Sequence, residues 1–338
     1  MKLNVFGVDI AKDVFQIHWV DKAGKARSEK VKRQHFLEWF SNKAPSLIAM
    51  EACSGAHHWG RCFQQMGHQV RLIAAHKVKP FVIGNKNDMV DAQAIWTAVQ
   101  QPQMRFVAVK SVEQQAALSA HRMREYLVKT RTGSINAIRG FLAEFGIVIA
   151  RGRTAFKREI AGCLETLSQT VPKEFADRMY ERVAYIHKLD DDIAGLEQHI
   201  TAYFKGCPQC QRIAKVPGIG VLSATAIVAT VGDVSQFKSG RELSAWLGLV
   251  PKQTGSGGKV KLHGISKRGD TYVRTLLVHG ARSAITHSKH PSEWLQQLLV
   301  RRPKNVVLLA LANKTARVVW ALLSKEAEYS ETQYSQVS

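Results

Sequence analysis

Val5, Gly7 and Asp9 alternate with the apolar neighbours Phe6 and Val8 in a buried-type run, which predicts a short strand ending on a carboxylate. Asp13 to Val20 reads as a second strand after a turn, and Arg27 to Val31 as a third. Ser46 to Met50 is a buried-type apolar run that stops at Glu51, and Val70 to Ala74 is another. His35 to Phe40 and Asn87 to Gln100 carry their apolar residues at helical spacing. Strands followed by helices over residues 3–100 predict a mixed sheet covered by helices, with polar side chains presented at strand ends.

Beyond residue 110 the period changes. Residues 112–146 form one long helical pattern that includes Arg122, Arg124, Lys129, Arg131 and Arg139. Met179, Ile186, Ile193 and Ile200 recur every seven residues, as do Leu189, Leu196 and Tyr203, which predicts a heptad seam and a coiled coil within or between chains. Residues 151–200 carry 8 basic and 9 acidic side chains, as expected of a spacer or oligomerisation arm. A further compact region runs from Cys207 to about Lys325 and opens with Val216-Pro217-Gly218-Ile219-Gly220, a pattern similar to a helix-hairpin-helix. In such a motif Gly218 and Gly220 let backbone N–H groups approach a phosphate. The expected organisation is an α/β domain at 1–110, long helices or a coiled coil at 111–205, a mainly α region at 206–330 and a disordered tail at 331–338.

Charge narrows the function. With 48 Lys and Arg against 27 Asp and Glu among 338 residues, the net charge is +21, and the excess points to a polyanion, nucleic acid first. Residues 251–300 alone hold 8 basic and 2 acidic side chains. The five cysteines have no framework spacing, and Cys207-Pro208-Gln209-Cys210 is a single pair that reads as a tight turn; both suit a reducing cytoplasm. The first residues lead directly into a strand, with no secretory pattern. The apolar run Val306 to Leu323 is interrupted by Asn313, Lys314 and Arg317, so it reads as a core helix and no membrane partner is expected.

Four carboxylates carry the candidate chemistry. Asp9 and Glu51 each close an apolar strand, where a buried charge is costly unless a cation neutralises it. Asp88 and Asp91 lie three apart on a predicted helix and so share a face, although Asp88 also suits a helix cap. Glu51, Asp88 and Asp91 are the only acidic residues between 51 and 100. Together the four make an all-oxygen donor set suited to Mg²⁺ or Mn²⁺, and such ions assist phosphodiester chemistry.

Three blocks extend this reading into a resemblance: Gly7-Val8-Asp9-Ile10-Ala11-Lys12, Met50-Glu51-Ala52-Cys53-Ser54-Gly55, and Lys86-Asn87-Asp88-Met89-Val90-Asp91-Ala92. They are similar to the acidic blocks of the insertion-sequence transposases related to the Piv DNA invertases. The second half resembles the C-terminal domain of that family in Pro217-Gly218-Ile219-Gly220, Leu247-Gly248-Leu249-Val250-Pro251, Gly255-Ser256-Gly257-Gly258-Lys259 and Ile265-Ser266-Lys267-Arg268-Gly269-Asp270. The resemblance implies a RuvC-like, RNase H-type fold whose metal-binding tetrad maps onto Asp9, Glu51, Asp88 and Asp91. It also implies a helical second domain with a serine nucleophile, a homodimeric or homotetrameric assembly, and a non-coding guide RNA that pairs with donor and target DNA.

Two serines suit the nucleophile. Ser256 sits among glycines that can bring its hydroxyl against a phosphate, with Lys259 and Lys261 following, and the family motif matches best there. Ser266 suits either the nucleophile or a helix N-cap beside clamping cations. Lys259, Lys261, Lys267, Arg268 and Arg274 are expected to neutralise phosphate charge. Arg122, Arg124, Lys129 and Arg131 suit equally a nucleic-acid surface or a solvated helix face. His57, His58 and Trp59 read as a helix start on the sheet, His279 and His287 as helix-face residues, and Trp246 as core. The expected activity is DNA transposition or, with the same chemistry, site-specific inversion. A water-using nuclease without Ser256 and a non-enzymatic nucleic-acid-binding protein are the rival classes.

Overall fold

The computed structural model describes residues 3–85, 87–288 and 291–330, so the expected tail at 331–338 lies outside the described residues. Its contacts divide the chain into two compact units: Met1–Gln115 together with Ile227–Ser338, and Ala116–Ala226. The break at 206 expected from the sequence is not where the contacts part.

The first unit begins with β1 (Val5–Asp9), β2 (Val14–Val20), β3 (Ala26–Lys32), α1 (Phe36–Ser41), β4 (Leu47–Glu51), α2 (Ala56–Gln65), β5 (Gln69–Ile73), α3 (Ala75–Val78), α4 (Asp88–Val99) and β6 (Phe106–Val107). These strands form one six-stranded sheet in the order β3-β2-β1-β4-β5-β6. β1, β4 and β5 run parallel, and the flanking strands antiparallel. Both faces are covered, which is why the central strands are apolar throughout rather than alternating. One face carries Phe6, Val8, Phe15, Ile17, Ile48 and Met50, packed with Phe36, Phe40 and Phe63 from the helices. The other carries Ala49 and Ile73 against Ala94, Ile95 and Ala98 of α4.

The second unit holds nearly all of α5 (Val112–Ala143), then α6 (Arg153–Ser168), α7 (Lys173–Lys205), α8 (Pro208–Ile213) and the first half of α9 (Val221–Val231). Met179, Val183 and Ile186 of α7 share one core with Ile135, Ile138 and Leu142 of α5 and Phe156, Ile160 and Leu164 of α6. The first two seam positions, Met179 and Ile186, are thus packed within the chain against α5 and α6, and a coiled coil does not follow from this packing. Cys207 caps α8 and Cys210 lies in its first turn, so the pair opens a helix where a tight turn was expected, and all five cysteines are free.

The rest of the first unit comprises α10 (Gly240–Trp246), β7 (Pro251–Ser256), β8 (Lys259–Ile265), α11 (Thr271–His287), α12 (Glu293–Arg301) and α13 (Lys304–Ser324). The β7–β8 hairpin stands in a region expected to be mainly helical. Its strands are exposed and polar, so no apolar stripe announced them. Among the described residues α13 is the one helix long and apolar enough to cross a membrane. Half of its apolar window is buried inside the protein, against α10, α11 and α12, as a core helix requires.

Candidate active site

Asp9 and Glu51 end neighbouring parallel strands. The register pairs Gly7 with Ala49 and Val8 with Met50, so the next rung sets the two carboxylates side by side, about 5 Å apart between strands. Both are half-buried. The Cys53 thiol is pushed up by burial first, and then by the charges of Glu51 and Asp9, which places both carboxylates around one sulfur. Two like charges held this close repel one another unless a cation lies between them.

α4 brings the remaining acids to the same face. Gly7 makes this possible: a Cβ there would stand 2.3 Å from the Ala92 carbonyl oxygen and 2.6 Å from the Trp96 nitrogen. The bare backbone lets α4 lie directly on β1, where Trp96 Nε1 donates to the Val5 carbonyl at 3.2 Å. The turn bearing Asp91 therefore meets the strand that ends in Asp9. Asn87, not Asp88, caps the helix, accepting from the Val90 N–H at 2.9 Å. This frees Asp88 from the capping role that the sequence allowed it. Asp88 instead lines a groove of about 450 Å³ with Gln16, Ser28, Lys30, Asn87 and Met89, and Gln16 is the ladder partner of Asp9.

The donor set is chemically right for a hard divalent cation, since it consists of carboxylates in a basic protein. The carboxylates do not close on a single point: among the described residues no three His, Cys, Asp or Glu side chains stand together as a ligand group. Gln16, the ladder partner of Asp9, is buried, and its Oε1 has no hydrogen-bond partner among the described residues.

The two serines have different surroundings. Ser256 is exposed at the tip of the hairpin, beside the tight turn of Gly257 and Gly258, whose φ values of 56° and 79° require glycine. Ser266 lies at the hairpin base, where its N–H donates to the Val250 carbonyl at 2.8 Å and its Oγ is buried without a partner among the described residues. It does not cap the following helix. Asp270 does, accepting from the Val273 N–H at 2.8 Å.

The expected cations also separate. Lys259, Lys261, Lys267 and Arg268 are exposed. Arg274 is only 8% exposed and donates to the carbonyls of Leu247 and Arg268 and to Thr271 Oγ1. It braces the loop and is not available to a phosphate, which corrects the expectation. That loop is tightly seated, because a Cβ on Gly248 would stand 2.0 Å from the Arg268 carbonyl oxygen, and Lys267 holds φ at 54°. His76 in α3, just after β5, is held down by burial first and then by the charges of Lys77 and Arg268.

In the helical unit Arg124 pairs with Glu197 and Arg131 with Asp190, both at 2.6 Å. Lys129 pairs with Glu125 on the exposed face at 2.8 Å, and Arg122 is exposed. Arg124 and Arg131 therefore tie α5 to α7, whereas sequence spacing had left them open to nucleic acid. Gly218 turns the chain at φ 87° between α8 and α9, and the Gly220 carbonyl accepts from Ala224 at 2.9 Å.

Comparison with known proteins adds the family. A model described as Transposase matches residues 6–147, and one described as Transposase IS116/IS110/IS902 family matches residues 210–296. A probable family 20 transposase of Pseudomonas aeruginosa is 46% identical over 335 residues, covering 97% of this chain and 99% of that protein. The chain belongs to the IS116/IS110/IS902 transposase family. The transposase for insertion sequence element IS1111A of Coxiella burnetii is 42% identical, over 97% of this chain and 91% of its own. That for element IS1328 of Yersinia enterocolitica is 36% identical, over 97% and 99%. The first family match contains all four carboxylates and the second contains both serines, so the transposase family spans the acidic edge and the hairpin. Sequence reasoning missed Gln16 and Cys53 at this edge. Gln16 alone left a trace, as one of two polar residues, with His18, inside a largely apolar strand.

Proposed function

We propose that this transposase cuts and rejoins DNA strands through a phosphoserine intermediate, with Ser256 as nucleophile and Asp9, Glu51, Asp88 and Asp91 as the edge that receives the scissile phosphate. The observation that carries the reading is the side-by-side ending of Asp9 and Glu51 on parallel strands, with the Asp91 turn drawn onto that sheet by Gly7. The strand order, with three parallel strands at its centre, supports an RNase H-like, RuvC-like domain. A divalent cation, Mg²⁺ or Mn²⁺, held by the four carboxylates would neutralise charge on the phosphate and on the attacking oxygen.

The residues of the chain divide the remaining work. Ser256 presents a hydroxyl at the tip of a hairpin that reaches roughly 20 Å from its base, by strand rise alone. As the Oγ–P bond forms, the bond from phosphorus to the leaving strand oxygen breaks, and the serine proton ends on that oxygen. Attack by the hydroxyl of a second strand reverses the exchange and returns Ser256, so bond number is conserved without an outside energy source. Lys259 and Lys261 beside the serine, and Lys267 and Arg268 at the loop, offset phosphate charge. The glycine turn at Gly218 and Gly220 and the exposed cations Arg122 and Lys129 offer further backbone contacts. The hairpin acts on its own edge or on that of a second copy, within a homodimer or homotetramer. A non-coding RNA pairing with donor and target DNA supplies the sequence specificity, a partnership consistent with the +21 charge.

The test is recombination between donor and target plasmids, with and without the RNA transcribed beside the gene, in wild type, Asp9→Ala and Ser256→Ala. Both variants are expected to lose recombination, and wild type to yield a covalent protein–DNA adduct that Ser256→Ala lacks. Normal recombination by Ser256→Ala moves the nucleophile to Ser266. Cleavage by Ser256→Ala with no adduct in any form establishes the water-using nuclease instead.

A further inference from the structure

A cavity of about 560 Å³ opens at the foot of the β7–β8 hairpin. Leu249, Ile265, Val306 and Leu309 give it apolar walls, and Trp294, at the start of α12, adds an aromatic face. Its charged groups are of one sign. Lys314 and Arg317 stand one turn apart on α13, and no carboxylate is among the described residues that line the cavity. The Lys314 Nζ lies 4.5 Å from the centre of the Trp294 ring. Burial first, and then the charge of Arg317, lower the Lys314 ammonium from its ordinary value. The walls are held in place before anything binds. Asn313 Nδ2 donates to the Leu249 carbonyl at 3.2 Å, tying α13 to the segment before β7, and His263 bonds Thr254 Oγ1 across the hairpin at 2.7 Å.

Each half of this lining excludes a simpler ligand. A bare phosphate gains nothing from an indole and aliphatic walls, and an uncharged apolar molecule gains nothing from two neighbouring cations. A nucleotide answers both, with a flat base for the aromatic and aliphatic walls and an anionic phosphate for the cations. The cavity is large enough, since sites for small organic ligands run from about 300 Å³ upward. Location decides where the nucleotide comes from. Pro251 and Ile265, at the two ends of the hairpin strands, line the cavity, and β7 leads from Pro251 to Ser256 at the tip, roughly 20 Å away by strand rise. A DNA strand joined to Ser256 therefore has its next few nucleotides within reach of the cavity. Those nucleotides must leave their old complement before pairing with a new one, and a base already unpaired enters a pocket at the least cost.

We propose that this cavity binds an unpaired nucleotide of the DNA strand under exchange, its base against Trp294 and the apolar walls and its phosphate toward Lys314 and Arg317. Bound there, the strand is fixed at a set distance from Ser256, and strands already opened are favoured over intact duplex. The inference rests on the strand-exchange reading of the preceding section and deepens it, naming a second contact on the strand that the serine engages.

Binding of the full chain to labelled oligonucleotides, followed by fluorescence anisotropy, tests the pocket. The probes are a DNA single strand of about 12 nucleotides, a fully abasic strand of the same length, RNA of the same sequence, and the DNA duplex. Wild type is expected to prefer the DNA single strand to the abasic one. Trp294→Leu keeps an apolar side chain and removes the aromatic face. It is expected to weaken the DNA single strand by at least about fivefold and to leave the abasic strand, the duplex and the melting temperature near their wild-type values. Lys314→Met is expected to weaken the base-bearing and abasic single strands by equal factors. Should Trp294→Leu fail to fold, Ala310→Phe fills the cavity from its lining and is expected to show the pattern of Trp294→Leu. Equal losses on base-bearing and abasic strands in that variant, or no loss, overturn the proposal and leave the strand-exchange reading standing. Unchanged binding by Lys314→Met overturns it as well, and tighter Trp294-dependent binding of RNA than of DNA overturns the assignment to DNA. Failure of wild type to bind any of the DNA probes overturns this inference and the strand-exchange reading together.

Discussion

At the scale of single residues, the acids at strand ends were legible because a charge that closes an apolar run has few reasons to be there. What the acids depend on was less legible. Gly7 reads in sequence as one more small residue in a strand, and only the approach of Ala92 and Trp96 shows why no side chain fits. Gly7→Ala is expected to cost about 1–3 kcal/mol, as overpacking does, and to lower recombination further than stability alone explains, because α4 carries Asp88 and Asp91 away from β1. Urea denaturation set beside plasmid recombination checks both halves. Gly133→Ala is the control: it lies inside α5 with nothing within 4 Å of an added Cβ, and is expected to stabilise by about 0.5–1 kcal/mol. Arg274 taught the opposite lesson, since a cation in a basic stretch resembles a phosphate ligand until its burial is known. Arg274→Met is expected to cost about 2 kcal/mol by stripping the carbonyls of Leu247 and Arg268 of a donor. A melting temperature equal to wild type would return Arg274 to the phosphate-binding set.

Among the elements, the long helices could be read from their apolar spacing, but their partners could not. Arg124 with Glu197 and Arg131 with Asp190 advance by seven along α5 and retreat by seven along α7, so the helices run antiparallel. A heptad alone is silent on that direction and on whether the seam is filled from its own chain. Asp190 also meets Arg153 and Lys157, and these three cations outweigh burial and hold its carboxyl well below the usual range. Stability from that cluster is therefore lost only as pH falls below the ordinary aspartate value. His121 acts in a higher window. It is 1% exposed, bonds Thr225 at 2.9 Å, and is lowered to about 4 by burial and then by Arg124. Its folded pKa lies below its unfolded one, so the unfolded chain binds the proton first and stability falls as pH drops from about 6.5 toward 4. Between pH 7 and 5 this single group is expected to remove about 2 kcal/mol. Urea titrations at the two pH values should show His121→Gln losing less than wild type by about that amount, and an equal loss would assign the acid sensitivity elsewhere.

For the molecule as a whole, net charge pointed to a polyanion from the composition alone, but composition does not say which cations are free to meet one. The structure sorts them. Arg274 is buried, and Arg124 and Arg131 face carboxylates of their own helical unit, while Lys259, Lys261, Lys267 and Arg268 stand exposed on the hairpin and its loop. That hairpin was hidden from sequence because an exposed two-stranded ribbon needs no apolar face, and so leaves no period-two pattern. Grouping residues 227–338 with 1–115 was hidden too, since contacts such as the Arg105–Glu242 pair at 2.6 Å join positions far apart in sequence. The sorting has a measurable consequence. Each phosphate neutralised by a free cation adds about 0.9 to the slope of log affinity against log salt for duplex DNA. Replacing Lys259, Lys261, Lys267 and Arg268 together by alanine is therefore expected to flatten that slope by up to about 3.6, with melting temperature little changed. Arg131→Met is expected to leave the slope alone and lower the melting temperature, because its loss exposes Asp190 and not a phosphate. If the slopes of the two variants fall equally, free and paired cations contact DNA alike, and burial has sorted them wrongly.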